Sequence, residues 1–162
     1  MKIAIKKLVD DAKVPVEAKP GDAGRDAYVV GFKFPQVDGD VKTLVDVPED
    51  SYVLKPLERI GCQLGFATAI PSGYYFHVVP RSGLALWNGL SIVNTPGTID
   101  EGYRNEWMAI IVNLSNQDVT IQKNDRICQI ILAKKINYEF EEVDELPESD
   151  RGLGGFGSTG KN

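Results

Sequence analysis

Pro96-Gly97-Thr98-Ile99-Asp100-Glu101-Gly102-Tyr103-Arg104 places a carboxylate, an aromatic ring and two glycines on what reads as a tight turn. Val93 precedes it and the run 107–114 follows it, both β-branched or apolar. That flanking composition predicts a hairpin whose turn exposes backbone groups at its tip. Asp100 is the first candidate for chemistry, because a carboxylate on a rigid turn can take a proton from water when an electrophile lies within hydrogen-bond reach. Asp and Gly also suit turns for conformational reasons alone, so the meaning of this turn depends on the rest of the chain.

Working outward, apolar or alternating segments recur at short spacing: residues 52–57, 62–69, 74–79, 91–94, 107–114, 119–121 and 126–133. Prolines, glycines and Asn/Asp turns separate them, and no 3.6-residue period is sustained. The class is therefore all-β, a sandwich or barrel. Residues 2–9 form an opening strand. Residues 23–27 (Ala-Gly-Arg-Asp-Ala) lead into a strand over 28–30, and 31–50 reads as an inserted β-hairpin or long loop with no assignable chemistry. One helical break is predicted over 82–87, with Ser82 as N-cap and Gly89 where the turn ends. Arg81 and Ser82 at a helix start also suit an anion, since free N–H groups, a hydroxyl and a guanidinium converge there. Gln129 lies among apolar neighbours and needs hydrogen-bond partners, from the backbone or from a ligand. Asp125 and Arg126 can simply pair near a strand end.

With 162 residues and 43% hydrophobic content, the chain reads as one domain able to bury a core. Its apolar runs are strand-sized and broken by charges, which predicts neither a signal peptide nor a membrane span and points to the cytoplasm. Cys62 and Cys128 lack CxxC spacing and read as buried apolar residues in a reducing compartment. The single histidine, His77, cannot by itself build a metal cluster or a Ser-His-Asp triad, and reads as a satisfied strand residue. The net charge of −5 is uneven, with seven acids and no bases over 139–150 and an even balance before it. That argues for a solvated linker and against a nucleic-acid groove. The tail beyond it, 151–160, lacks the P-loop order GxxxxGK[ST]. Arg151, Ser158 and Thr159 nevertheless suit a polyphosphate, Phe156 suits a nucleobase face, and the glycines let the segment fold over both.

Five stretches in this order resemble the five motifs of the trimeric dUTP pyrophosphatase (dUTPase) family. They are AGRDA at 23–27, PRSGLA at 80–85, VNTPGTIDEGYR at 93–104, DRICQIIL at 125–132 and RGLGGFGSTG at 151–160. The resemblance implies a distorted β-barrel or jelly roll with one short helix and a flexible C-terminal tail, assembled as a homotrimer with shared active sites. The implied parts are a β-barrel domain over 1–138 (with 31–50 inserted), the acidic linker over 139–150 and a lid over 151–162. Carried over by motif, Asp100 activates the water that attacks the α-phosphorus of dUTP, releasing dUMP and pyrophosphate. The implied role is to keep uracil out of DNA and supply dUMP for thymidylate synthesis. Tyr103 packs on the deoxyribose, and backbone groups around Asn94, Gly97, Thr98 and Ile99 pair with uracil. Arg81, Ser82, Gly83 and Gln129 hold phosphates. Arg151, Gly157, Ser158 and Thr159 close on the terminal phosphates while Phe156 stacks on the base. The implied cofactor is Mg²⁺, supported through water by Asp26. The chain departs from the family pattern at Ala27, Asn105 and Trp87, where leucine, glycine and a basic residue are common, and none of these removes a proposed catalytic group.

Three other readings compete. A dCTP deaminase is similar in fold, but Ile110 stands where its glutamate aligns and the glycine-rich tail is foreign to it. A nucleotide-responsive regulator could signal through 31–50. A structural β-sandwich with a free tail predicts no nucleotide affinity at all.

Overall fold

The computed structural model describes residues 1–154. In chain order the described elements are β1 (Ala4–Lys7), β2 (Arg25–Tyr28), β3 (Gly31–Asp38), β4 (Val41–Val47), β5 (Ser51–Leu54), β6 (Arg59–Gln63) and β7 (Phe66–Ala69). They continue with β8 (Tyr74–Pro80), the helix α1 (Ser82–Asn88), β9 (Leu90–Ile92), β10 (Gly97–Ile99), β11 (Met108–Asn113), β12 (Val119–Gln122) and β13 (Arg126–Lys134). One sheet runs β10-β8-β13-β2 and another β4-β3-β6-β11-β9, with β1-β7 and β12-β5 as two-stranded pairs. The sheets stay open among the described residues, so the all-β fold is jelly-roll-like and not a closed barrel.

Alternation explains the packing. In β11, Ala109, Ile111 and Asn113 point inward and their neighbours are half-exposed, the period-2 pattern of a strand with one covered face. The aromatic centre is Trp107, whose ring centroid lies 5.2 Å from those of Phe66 and Phe76. These three rings join residues from β7, β8 and the entry to β11, so they staple the layers together.

The structure differs from the sequence reading at several places, among them the strand read over 28–30, which forms as Arg25–Tyr28. The run 62–69 is two strands, because Gly65 takes a left-handed φ of +71° and turns the chain from β6 to β7. A side chain there would meet Ala12 and Val30 at 2.9 Å, so both sterics and conformation call for glycine. The segment 31–50 does form a hairpin, β3 and β4, but Gly31, Phe32 and Lys33 also pair with β6. It therefore grows out of the five-stranded sheet. The N-cap of α1 is Arg81, not Ser82, and no side chain caps it, whereas Gly89 closes the helix in the left-handed region as expected. Finally, β10 pairs with β8 while β11 pairs with β6 and β9. The stretch 96–104 is thus a crossing between two sheets and not the turn of a hairpin.

Cys62 and Cys128 are buried free thiols. Burial, with Cys128 as a second influence, raises the Cys62 thiol far above its ordinary range; burial, followed by the charge of Asp26, pushes Cys128 up to about 12. His77 is only partly satisfied: Nε2 faces the Tyr75 hydroxyl at 3.2 Å, and the buried Nδ1 has no partner among the described residues. No described helix is long and apolar enough to cross a membrane.

Candidate active site

The crossing 96–104 is braced by its own polar groups. Tyr103 N–H donates to the Asp100 carbonyl at 3.1 Å, and Arg104 Nη1 donates to the carbonyls of Glu101 at 2.6 Å and Tyr103 at 3.1 Å. Glu101 accepts from Gly73 N–H at 2.7 Å, and the Tyr103 hydroxyl donates to the Glu106 carbonyl at 3.1 Å. Glu106 in turn accepts from Gln63 and from Gly65 N–H. Every one of these bonds spares the Asp100 carboxylate. It is exposed and forms no ion pair or side-chain hydrogen bond among the described residues. A carboxylate so placed is an acceptor without an internal commitment.

A second group forms where β2, β13 and the end of β8 meet. Asp26, only 5% exposed, accepts at Oδ1 from Arg81 Nε at 3.0 Å and from Gln129 Nε2 at 3.4 Å. Its Oδ2 accepts from Arg126 Nη1 at 3.0 Å. Arg81 Nη1 also donates to the Arg126 carbonyl at 3.0 Å. A β-bulge between Arg126 and Cys128 produces this convergence. Residues three apart on a regular strand face opposite sides; the extra residue re-phases β13 so that Arg126 and Gln129 both reach Asp26. Gly24 makes room for the amide, since a Cβ there would sit 3.1 Å from Gln129 Oε1. The expected pairing of Asp125 with Arg126 does not form: Asp125 instead accepts from Gln122 N–H at 2.8 Å.

The sequence candidates therefore fall into two groups. Asp26, Arg81 and Gln129 are in contact, with exposed Ser82 and Gly83 following Arg81 on α1. Gly97, Thr98 and Ile99 lie on β10 opposite Val78, His77 and Phe76, with Asn94 before them and Asp100 and Tyr103 after. That register puts Asp100 level with Tyr75, at the end of β8 remote from Arg81. At about 3.3 Å per residue the two are about 20 Å apart along the strand. Arg151 closes a local turn, Nε donating to the Gly154 carbonyl at 2.9 Å. Phe156, Gly157, Ser158 and Thr159 lie outside the described residues. Arg126 is the participant that sequence reasoning missed. Its signal was the consecutive apolar pair Ile127-Cys128, which breaks strand alternation and marks the bulge.

Residues 45–160 match the family model for dUTPase. The deoxyuridine 5'-triphosphate nucleotidohydrolase of Hydrogenobaculum sp. (strain Y04AAS1) is 39% identical over 160 residues, covering 99% of each chain. This chain belongs to the dUTPase family. The corresponding Fusobacterium nucleatum protein is 46% identical over 134 residues, 81% of this chain and 92% of that one. Among solved dUTPase folds, a point mutant of the Staphylococcus bacteriophage 80alpha enzyme with dUpNHpp superposes with a TM-score of 0.77 at 24% identity, covering 98% of both chains. A phage phi11 dUTPase mutant, described for its coordination of a structural Mg(II) ion, superposes with a TM-score of 0.72 at 20% identity, covering 91% of this chain and 100% of that one. At those identities the likeness is one of dUTPase fold.

Proposed function

We propose that this chain hydrolyses dUTP to dUMP and pyrophosphate, in the cytoplasm, as a homotrimer that builds each active site from more than one subunit. The observation that carries the reading is the uncommitted Asp100 carboxylate on a braced crossing, in a chain of the dUTPase family. Asp100 takes a proton from water as the water oxygen bonds to the α-phosphorus. The bond from that phosphorus to the α,β-bridging oxygen breaks, and the electron pair leaves with pyrophosphate. Tyr103 lies against the deoxyribose and excludes a 2′-hydroxyl. Backbone groups of Asn94, Gly97, Thr98 and Ile99 meet the uracil edge, and a base that leaves them unpaired is rejected. Arg81, Ser82, Gly83 and Gln129 hold the phosphates. Residues 139–150 tether a lid over 151–162, in which Phe156 stacks on uracil while Arg151, Gly157, Ser158 and Thr159 close on the terminal phosphates.

The donor set fits Mg²⁺ that is carried mainly by the substrate. No three His, Cys, Asp or Glu side chains converge among the described residues, and both Asp26 oxygens already accept from arginines. Asp26 would therefore reach the metal through water, as suits an ion that keeps much of its hydration and binds phosphate oxygens. When bound, Mg²⁺ neutralises phosphate charge.

Assembly is supported by two features. Asp100 and Arg81 lie too far apart in one chain to address one nucleotide. In addition, Ile136, Tyr138 and Phe140 stand at every second position beyond β13 and stay exposed, Phe140 at 91%, an apolar surface that a second copy would cover.

The test is pyrophosphate release with Mg²⁺ from dUTP, UTP, dTTP and dCTP, with ammonia followed in the dCTP sample. Release from dUTP alone is expected; ammonia from dCTP, or silence with every nucleotide, refutes the proposal. Asp100→Asn should keep fold and nucleotide binding while lowering turnover by about 10² to 10⁴. Undiminished turnover would mean that another group activates the water.

A further inference from the structure

We infer that Arg126 is a positioning residue: it pins the Asp26 carboxylate and, through it, fixes the Arg81 guanidinium that meets the phosphates. The inference rests on the dUTP reading above. Asp26 lies between two guanidinium groups, Arg81 Nε on Oδ1 and Arg126 Nη1 on Oδ2, each at 3.0 Å. A carboxylate held from one side only can still rotate about its terminal torsion, which is soft. The second cation on the other oxygen sets the plane of the carboxylate, and that plane sets the direction in which Arg81 Nε must point.

Arg126 reaches Arg81 by a second route as well, since its carbonyl accepts from Arg81 Nη1 at 3.0 Å. With Nε and Nη1 committed to these partners, Arg81 Nη2 has no partner among the described residues and is left to an incoming oxyanion. Gln129 also reaches Oδ1 of Asp26, but only at 3.4 Å, so the two guanidinium contacts at 3.0 Å are the ones that fix the carboxylate. The Arg126 side chain is 48% exposed. Replacing it therefore opens no core, and its carbonyl and the bulge belong to the backbone. Loss of the side chain removes the clamp and leaves the fold.

The effect should fall on ground-state phosphate binding. Full-length wild type, Arg126→Met, Arg126→Lys, Arg81→Met and the double variant Arg81→Met/Arg126→Met are compared for pyrophosphate release from dUTP with Mg²⁺. Binding of dUMP, which lacks the outer phosphates, is measured alongside. Arg126→Met should raise KM about tenfold with little change in kcat, because a charge-assisted contact is lost at one remove from the substrate. Arg126→Lys should recover part of that loss, and dUMP affinity should not move. In the Arg81→Met background the second substitution should add nothing further, since its whole effect passes through Arg81. An unchanged KM in Arg126→Met overturns the inference, as does an equal loss of dUMP affinity. A loss that multiplies with that of Arg81→Met overturns it too, because it makes Arg126 a direct phosphate ligand. If wild type itself releases no pyrophosphate from dUTP, the failure lies in the dUTP reading and not in the clamp.

Discussion

Two inactive variants of this chain should restore each other. Asp100 follows Ile99, which pairs with Phe76, so continuing the register brings it to the level of Tyr75, whereas Arg81 follows Pro80 at the other end of β8. Six residues of extended chain separate them, about 20 Å, far more than the distance from the α-phosphorus of one nucleotide to its terminal phosphate. In the proposed shared-site assembly, one subunit supplies Asp100 and a neighbour Arg81. Asp100→Asn and Arg81→Met chains, each about a hundredfold impaired alone, are co-expressed with different tags and the mixed oligomers isolated through both. A closed trimer that holds both kinds of chain has a single junction of the productive kind, so about one site in three pairs the intact Asp100 of one chain with the intact Arg81 of the next. Pyrophosphate release from dUTP should therefore return to about a third of the wild-type rate per subunit, against about one per cent in either parent. The argument fails if the mixed oligomers show only the mean of the two parents. Asp100 and Arg81 would then act within one chain, and β8 would have to be bypassed by a rearrangement that its pairing with both β10 and β13 opposes.

Asn113→Ala should lower stability by about 3 kcal/mol, read as a lower urea midpoint. The fully buried amide donates to the carbonyls of Leu54 at 2.9 Å and Gln117 at 2.7 Å and accepts from Ser115 N–H at 2.9 Å and Ser115 Oγ at 2.7 Å, four bonds that alanine cannot make. An unchanged midpoint would mean that water replaces all four bonds. The cysteines make stability fall at alkaline pH. Both thiols are raised in the fold above the ordinary 9.0, Cys128 to about 12, so the folded chain keeps protons that the unfolded chain releases. Their contribution is fully present below about pH 9 and is lost as pH rises toward 12. Urea titrations at successive pH values should show that decline, with thiol labelling at pH 8 confined to denatured protein. Rapid labelling of the native chain would contradict the burial argument.

Much of this protein is legible from local pattern. Alternation in 107–114 anticipates β11, because a strand with one covered face must place apolar residues at every second position. Gly89 anticipates the end of α1, since a helix readily ends on a residue free to turn left-handed. Arg81, Asp100 and Gln129 could be named as candidates because each carries a chemistry suited to phosphate or water wherever it sits, whereas Asp26 is singled out only by the resemblance to the dUTPase motifs.

What alternation cannot convey is which strands share a sheet. The segments on either side of 96–104 look like hairpin partners, and only the packed fold shows that β10 joins β8 while β11 joins β6 and β9. Nor does local pattern expose the break at Gly65, where the distant side chains of Ala12 and Val30 leave no room for a Cβ. The clamp on Asp26 depends on a residue 100 positions away and on a bulge that turns two side chains to one face. Composition and periodicity act over a few residues and so determine the strands, the helix stop and the chemical candidates. Sheet partnership, the bulge and the separation of Asp100 from Arg81 arise from contacts between segments remote in the chain, and the tertiary structure alone decides them.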